Sequence, residues 1–590
     1  MVPARPRITV RRPRRGPVDR PLNLRLARTA SLVLIAPILL LVLTLVPPGA
    51  LPRPELPPAF DGSVALRLAR ELARDYPDRE PGSPGAARAA GWYRDTLRLY
   101  GLPARADRWV EDVPGLGRQP LLNLVTVVPG TSEKTIVIVA HRDNRELEAG
   151  ANDNASGTAA LLELARAYAT TGTIARRPTP VHTLVFVSTD AGAFGALGAA
   201  RFARSSPLAQ RAVATITLDG LAGRARPRLE VSSTAPRSPT PVLVRTIAAR
   251  IADQTGSRPA APGWLTQLVN LGLPFGYGEQ APFLAAGSSA VRLSTAPDVE
   301  TKSDPVADTL DPRTLERLGR ATDAAVSSLD EAVRLTGGTT PYLYAGDGAV
   351  RGWAIAALFV AALLPFWAVT IDLLARVVRS GLALAPPWRA FRLRFGVWLL
   401  LAALVVLGSL AGVFPRGAAT TPVPDAPPVE DWPGTALVGA ALAVSTVVWI
   451  ASRIRQGRSA PLSEEEQLTG YAVAFLALGG AAVLVAAVNS YALVFVLPSL
   501  YAWLWLPVAD RLPAWVSDVL LGLGLAGPVL GLVVLAEQLD LGLRAPVYAI
   551  GLATSGTVPW PACLAFLVWA AAGTQLAALV AGRYPAPSSR

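Results

Sequence analysis

The spacing of apolar positions divides this chain at about residue 350. Before that point short β-branched runs alternate with stretches whose apolar residues return every three or four positions. "GSVALRLARELARDY" and "GAARAAGWYRDTLRLYGL" have the helical spacing, whereas "TIVIVA", "HTLVFVS", "VATITL" and "AVRLS" read as buried strands. Helices lying between such strands predict an α/β domain with a mostly parallel central sheet covered by helices. From Gly352 to Gly582 most residues are apolar and the charges gather in short gaps, which predicts an α-helical multi-span membrane domain.

The first span is expected at Thr29 to Val46, after a tail in which nine arginines oppose the single acid Asp19. A retained anchor fits this stretch better than a cleaved leader, because "PPGALPRPELPP" makes a poor cleavage site. Seven later segments are long enough to cross: about Gly352–Leu374, Phe395–Phe414, Thr435–Ser452, Gly470–Val488, Tyr491–Val508, Val516–Ala536 and Pro561–Ala581. Arg376, Arg379, Arg389, Arg392 and Arg394 fill one gap and Arg453, Arg455 and Arg458 another, so these gaps are assigned to the cytoplasm. The alternate gaps hold only Arg416 and Arg544 beside Asp425, Glu430, Asp431, Glu537 and Asp540. The resulting plan is a basic cytoplasmic tail (1–28), a first transmembrane helix (29–47), an extracytoplasmic domain (51–340), a bundle of about seven helices (350–582) and a cytoplasmic tail (583–590). Both ends lie inside a cell membrane that the chain crosses repeatedly. Residues 547–560 are either re-entrant or a ninth span.

Composition narrows the function. The net charge is +13, but the arginines flank apolar segments and form no basic face interleaved with aromatics, which argues against nucleic acid. Cys563 is the single cysteine, so no internal disulfide can form. Ionisable residues within the spans are few, which disfavours transport.

Polar residues with metal chemistry stand where strands end. His141 follows "TIVIVA", Asp219 closes "VATITLD", and Asp153 lies in "GANDNASG" before a helical stretch. An imidazole and two carboxylates from three segments are a plausible ligand set for zinc. The plainer reading makes His141 a hydrogen-bonded structural residue and "NDNASG" a turn with a helix cap. His182 begins a strand and reads as structural.

"YPDREPGSPGAARAAGWYRDTLRLYGL", "NLVTVVPG", "IVAHRDN", "GANDNASGTAALLELARAYA", "FVSTDAGAFGALGAARFA", "TLDGLAG", "APFLAAGSSAVRLS" and "DPVADTLD" occur in this order. The series resembles metallopeptidase family 28, the co-catalytic di-zinc aminopeptidases, over about Leu66 to Leu335. The resemblance implies one zinc on His141, Asp153 and Asp219, with Asp153 bridging toward a second ion, and Asp143 and Asp308 supporting the ligands. It also implies a pair of glutamates, one a proton-carrying base and one a ligand, at positions that here read Gly192 and Ala193. The family's late histidine falls at Asp304, which could still offer a carboxylate to the metal, and Gln280 stands where histidine is common. These departures imply a degenerate peptidase with one zinc or none, binding a peptide or protein partner, and Asp190 is the nearest substitute base in sequence. An active membrane-bound zinc aminopeptidase is the alternative. The plan of one helix, an outer domain and a helical bundle is also similar to the GPI-anchor attachment subunit of GPI transamidase.

Overall fold

A computed structural model describes residues 22–45, 49–145, 149–169, 177–276, 278–295, 310–332, 335, 338–346, 348–411, 462–509, 513–538, 541–542, 545–554 and 556–581. The α/β domain, called the outer domain after its expected side of the membrane, is built on a seven-stranded sheet of β1 (Ala104–Val113), β2 (Gly117–Val128), β3 (Ser132–His141), β4 (His182–Thr189), β5 (Ala212–Asp219), β6 (Arg228–Glu230) and β7 (Ala290–Ser294). Their order is β1-β2-β4-β3-β5-β7-β6. The four strands expected from apolar runs form the parallel centre, through the β4–β3, β3–β5 and β5–β7 pairings. The edges are antiparallel, at β1–β2, β2–β4 and β6–β7, so the sheet is mixed and parallel only where the sequence is continuously apolar.

Period-two alternation in β3 distributes the core. Ile136, Ile138 and Ala140 face one layer, with the helices Gly62–Asp75, Gly157–Arg166 and Pro312–Asp330, while Val137 and Val139 face the other, with Leu197–Ser205 and Gln280–Ala285. The chain leaves β3 to form β4 on one side and later β5 on the other. This creates a switch point where the carboxyl ends of β3 and β5 diverge, the place where open α/β sheets gather functional groups.

Helix starts are set by side-chain caps. Asp61 accepts from the Ser63 and Val64 amides, Ser83 accepts from Ala86 ahead of Pro84, and Asp311 accepts from Arg313 beside Pro312. The domain closes on itself through Asp323, whose carboxylate accepts from the Ala59 amide (2.6 Å) and from Arg177 (2.9 Å). His182 approaches Asp330 (3.3 Å) at the opposite end of the sheet from His141, a structural placement.

Among the described residues six helices are long and apolar enough to cross a membrane: Arg25–Leu43, Gly352–Arg379, Ala385–Leu410, Glu464–Val488, Ser490–Ala509 and Trp560–Val580. A bent pair, Trp515–Leu523 and Ala526–Glu537, meets at 45° and counts as a seventh if it is one span. These coincide with seven of the eight segments expected from hydropathy, and the eighth, Thr435–Ser452, lies outside the described residues. Ala545–Thr554 is a ten-residue helix, too short to cross alone. The bundle packs around Trp503, Phe366, Phe475 and Leu576, with Gly524 and Gly573 letting the Trp503 ring approach neighbouring backbones.

Packing in the α/β domain is close where the helix Pro312–Asp330 meets Phe60. At Gly319 an added Cβ would stand 2.1–2.5 Å from the Phe60 ring. Gly319→Ala should therefore cost about 1–3 kcal/mol, read as a lowered midpoint of thermal unfolding in the purified full-length protein.

Candidate metal centre

His141 and Asp219 are the last residues of β3 and β5, so the parallel register alone brings them to one edge. Asp153 arrives by a loop, and the residues around it explain how a loop can be placed so closely. Asn154 donates to Leu218 O (2.8 Å) and accepts from the Gly157 and Gly220 amides (3.0 and 3.1 Å). Asn152 accepts from Ala222 N (2.9 Å), and Ser156 Oγ accepts from Leu221 N (2.8 Å). The polar letters of "NDNAS" thus fasten the Asp153 loop to the exit of β5. Gly157 is required, because a Cβ there would lie 2.1 Å from Asn154 Oδ1. From below, the fully buried Arg79 donates to Arg142 O (2.7 Å), Ala149 O (3.0 Å) and Gly150 O (3.1 Å). Burial pushes its guanidinium down to about 10, against the opposing pull of Asp143 and Asp153.

In the result, His141 Nε2 lies 3.1 Å from Asp153 Oδ1 and 3.6 Å from Asp219 Oδ1. Three ligand atoms, one from each residue, all lie within 4.8 Å of one another. Ligands about 2.1 Å from a tetrahedral zinc stand about 3.4 Å apart, so the spacing fits that ion. The two carboxylate oxygens are buried and receive no hydrogen bond, as expected of atoms turned toward a cation.

The electrostatics point the same way. Burial, then the charge of Asp219, pushes the Asp153 carboxyl up to about 6. Burial would also raise Asp219, but Arg292, whose Nη1 is 2.7 Å from Asp219 Oδ2, and the His141 ring hold it far below the carboxylate range. Burial opposes the His141 imidazolium, yet Asp143 and Asp153 outweigh it and raise that group well above the usual histidine value.

Asp143 stands behind the imidazole. Its Oδ1 is 3.5 Å from His141 Nδ1, and its carboxylate accepts from the Gly192 and Ala193 amides at 2.8 and 3.0 Å. Asp143 thereby favours a proton on Nδ1 and leaves Nε2 free for a metal. The two positions without carboxylates thus serve through their backbone. Gly192 also packs against the ring, where a Cβ would lie 2.2 Å from His141 Cβ. Asp304 and Asp308, expected as a ligand and a support, lie outside the described residues.

Asp190 is not a substitute base. It accepts from Leu122 N (3.0 Å), Ala191 N (3.0 Å) and Arg142 (3.2 Å), and so fixes the loop after β4. The carboxylate that sequence reading missed is Glu279, 2 % exposed. One of its oxygens accepts from Thr189 Oγ1, on the residue paired with His141 across β3 and β4, and the other has no hydrogen-bond partner. Burial drives the Glu279 carboxyl up to about 7, with His141 and Thr189 opposing and Asp219 and Asp143 assisting. The only sequence signal was an acid before Gln280 in "GEQAPF", and Gln280 itself donates to Ser232 O (3.2 Å).

Residues 123–324 match the family model described as peptidase family M28. The outer domain has the M28 peptidase fold. Among solved structures, the chain is similar to a glutaminyl cyclase of an Acidobacteriales bacterium (19 % identity, 48 % of this chain and 98 % of that one, TM-score 0.38). It is also similar to the zinc aminopeptidase BSAP of Bacillus subtilis (14 % identity, 46 % and 95 %, TM-score 0.37). An aminopeptidase from Aneurinibacillus sp. strain AM-1 aligns comparably (14 % identity, 47 % and 96 %, TM-score 0.38). A comparison with curated proteins finds no significant match.

Two outcomes are expected from the geometry of this site. His141→Ala should abolish zinc retention, and Asp143→Asn should weaken it by roughly 10–100-fold, measured by competition with a chelator. The second concerns Glu279. Its folded pKa lies above the ordinary value of 4.5, so between about pH 4.5 and about pH 7 the native state binds more protons than the unfolded chain. Glu279 should therefore lower stability by up to about 3 kcal/mol as pH rises through that window, in addition to Asp153, whose carboxyl is also raised, and Glu279→Gln should make the fall in unfolding midpoints across it shallower.

Proposed function

We propose that this chain is a multi-pass membrane protein whose extracytoplasmic M28 domain holds one zinc ion and binds peptide or protein partners without efficient hydrolysis. The reading rests on one observation. The ligand set of His141, Asp153 and Asp219 converges, while the loop at Gly192 and Ala193 packs on His141 and spends its amides on Asp143. A zinc held there would supply a Lewis acid able to polarise a peptide carbonyl. His141, Asp153 and Asp219 would bind it, Asp143 would orient the imidazole, and Arg292 would keep Asp219 ionised. The loop after β4 offers no side chain to take a proton from water, and loss of such a base removes roughly two to four powers of ten in rate. The arginine bias of the gaps supports an orientation with both ends in the cytoplasm. The plan of one span, an outer domain and a helical bundle suits a protein that presents a bound peptide end to a partner in the membrane.

Glu279 favours a second reading, an active zinc aminopeptidase, since its free oxygen lies buried beside the ligand cluster. Purified full-length protein, assayed for zinc per chain, for peptide affinity and for aminoacyl-anilide release, separates the two. The binding reading expects about one zinc, peptide affinity lost on His141→Ala, and release no faster than that of the variant. Turnover abolished by both chelation and Glu279→Gln, with zinc still bound in the variant, would establish the enzyme instead.

A further inference from the structure

We propose that the outer-domain helix Trp264–Gly272 lies in the membrane interface, with Trp264 and Leu265 inserted among the lipid headgroups. This rests on the reading of the long apolar helices as membrane spans. The exposed residues are confined to the first turn of the helix, and the turns after it are buried. Gln267, Leu268, Val269, Leu271 and Gly272 are buried, whereas Trp264 is 62 % and Leu265 44 % exposed.

The buried turns are fixed to the ends of spans. Leu268 and Leu271 share a cluster with Ile355 and Tyr491, against which Leu41 and Phe359 also pack. Leu41 stands just before the end of the first span at Leu43, and Ile355 and Phe359 lie about 5 and 10 Å inside the span that starts at Gly352. Tyr491 lies just after the turn at Asn489, at the start of the span Ser490–Ala509. From that turn, Asn489 Nδ2 donates to Leu271 O (2.8 Å) and Gly272 O (3.1 Å). Gln267 is held by both polar ends to the backbone of Tyr344, in the hairpin that leads into the Gly352 span (2.9 and 2.7 Å). A helix tied at these points cannot stand away from the plane where the spans end.

The exposed residues suit that plane. An indole combines a large apolar ring with one polar N–H and concentrates where hydrocarbon meets water. Trp353, the second residue of the adjoining span, is likewise exposed. Trp264 and Leu265 open a helix that packs on the ends of the spans, which makes the bilayer their occupant. The next segment carries the consequence inward. Phe275 packs against the bundle residues Leu535 and Tyr548, and four residues later the chain reaches Glu279. One wall of the metal pocket is therefore strung from a helix seated on lipid.

The test uses full-length protein in nanodiscs with Cys563→Ala and a single spin-labelled cysteine at position 264 (Trp264→Cys) or 265 (Leu265→Cys). Accessibility to oxygen and to a water-soluble nickel chelate is compared with labels at Val360, exposed in mid-span, and Leu99, exposed on the outer domain. The expected result is a several-fold loss of nickel accessibility at 264 and 265 relative to Leu99, with oxygen accessibility between those of the two references. Labels at 264 and 265 that behave like Leu99 while Val360 reads as lipid would overturn the proposal and leave the reading of the spans intact. Labels shielded from both reagents would also overturn it, in favour of a protein covering the patch. A Val360 label that reads as water would overturn the spans and the proposal together.

Discussion

Two carboxylates buried a few ångströms from one imidazole repel each other, and the outer domain is arranged around that repulsion. Asp153 and Asp219 would each be costly alone in so dry a place. Arg292 neutralises the far side of Asp219, Arg79 lies beneath the Asp153 loop, and His141 stands between the acids. Even so, one oxygen of each acid is left without a donor. The remaining imbalance is what a divalent cation relieves, so the site is a strained arrangement that a metal would complete.

That strain is tolerable because the supporting structure is rigid. Parallel pairing fixes the ends of β3 and β5, and the side chains of Asn152, Asn154 and Ser156 hold the intervening loop to the backbone after Asp219. Removing these hydrogen bonds would free Asp153 to retreat toward solvent, and the pocket would lose its geometry before its composition. The same logic links domain and bundle, since Asn489 uses its amide to satisfy the last carbonyls of the Trp264–Gly272 helix, groups that a helix end leaves open.

The features legible in the sequence were those with strong local patterns. The four central strands were visible because they are apolar and β-branched throughout, and the long apolar helices because hydropathy needs no partner. β1, "ARADRWVEDV", was not seen, since an edge strand alternates charge with partial burial and carries no apolar run. Of the site, His141 and Asp219 could be read at strand ends and Asp153 in its glycine-bounded loop, whereas Asp143 came only from the family resemblance. Arg79, Arg292 and Glu279 could not, because each acts across a long sequence separation and stands in a stretch with no polar motif. Asp190 looked adjacent in sequence, but its side chain turns to Arg142 and the backbone of β2.

The contact between Gly192 and the His141 ring limits what the loop after β4 can carry. A glutamate at that position would have to displace the imidazole or unseat the backbone that grips Asp143, so it would damage the ligand set. Any larger side chain there would require the loop after β4 and the strand end at His141 to be remodelled together. Single substitutions are barred from that route by the packing itself.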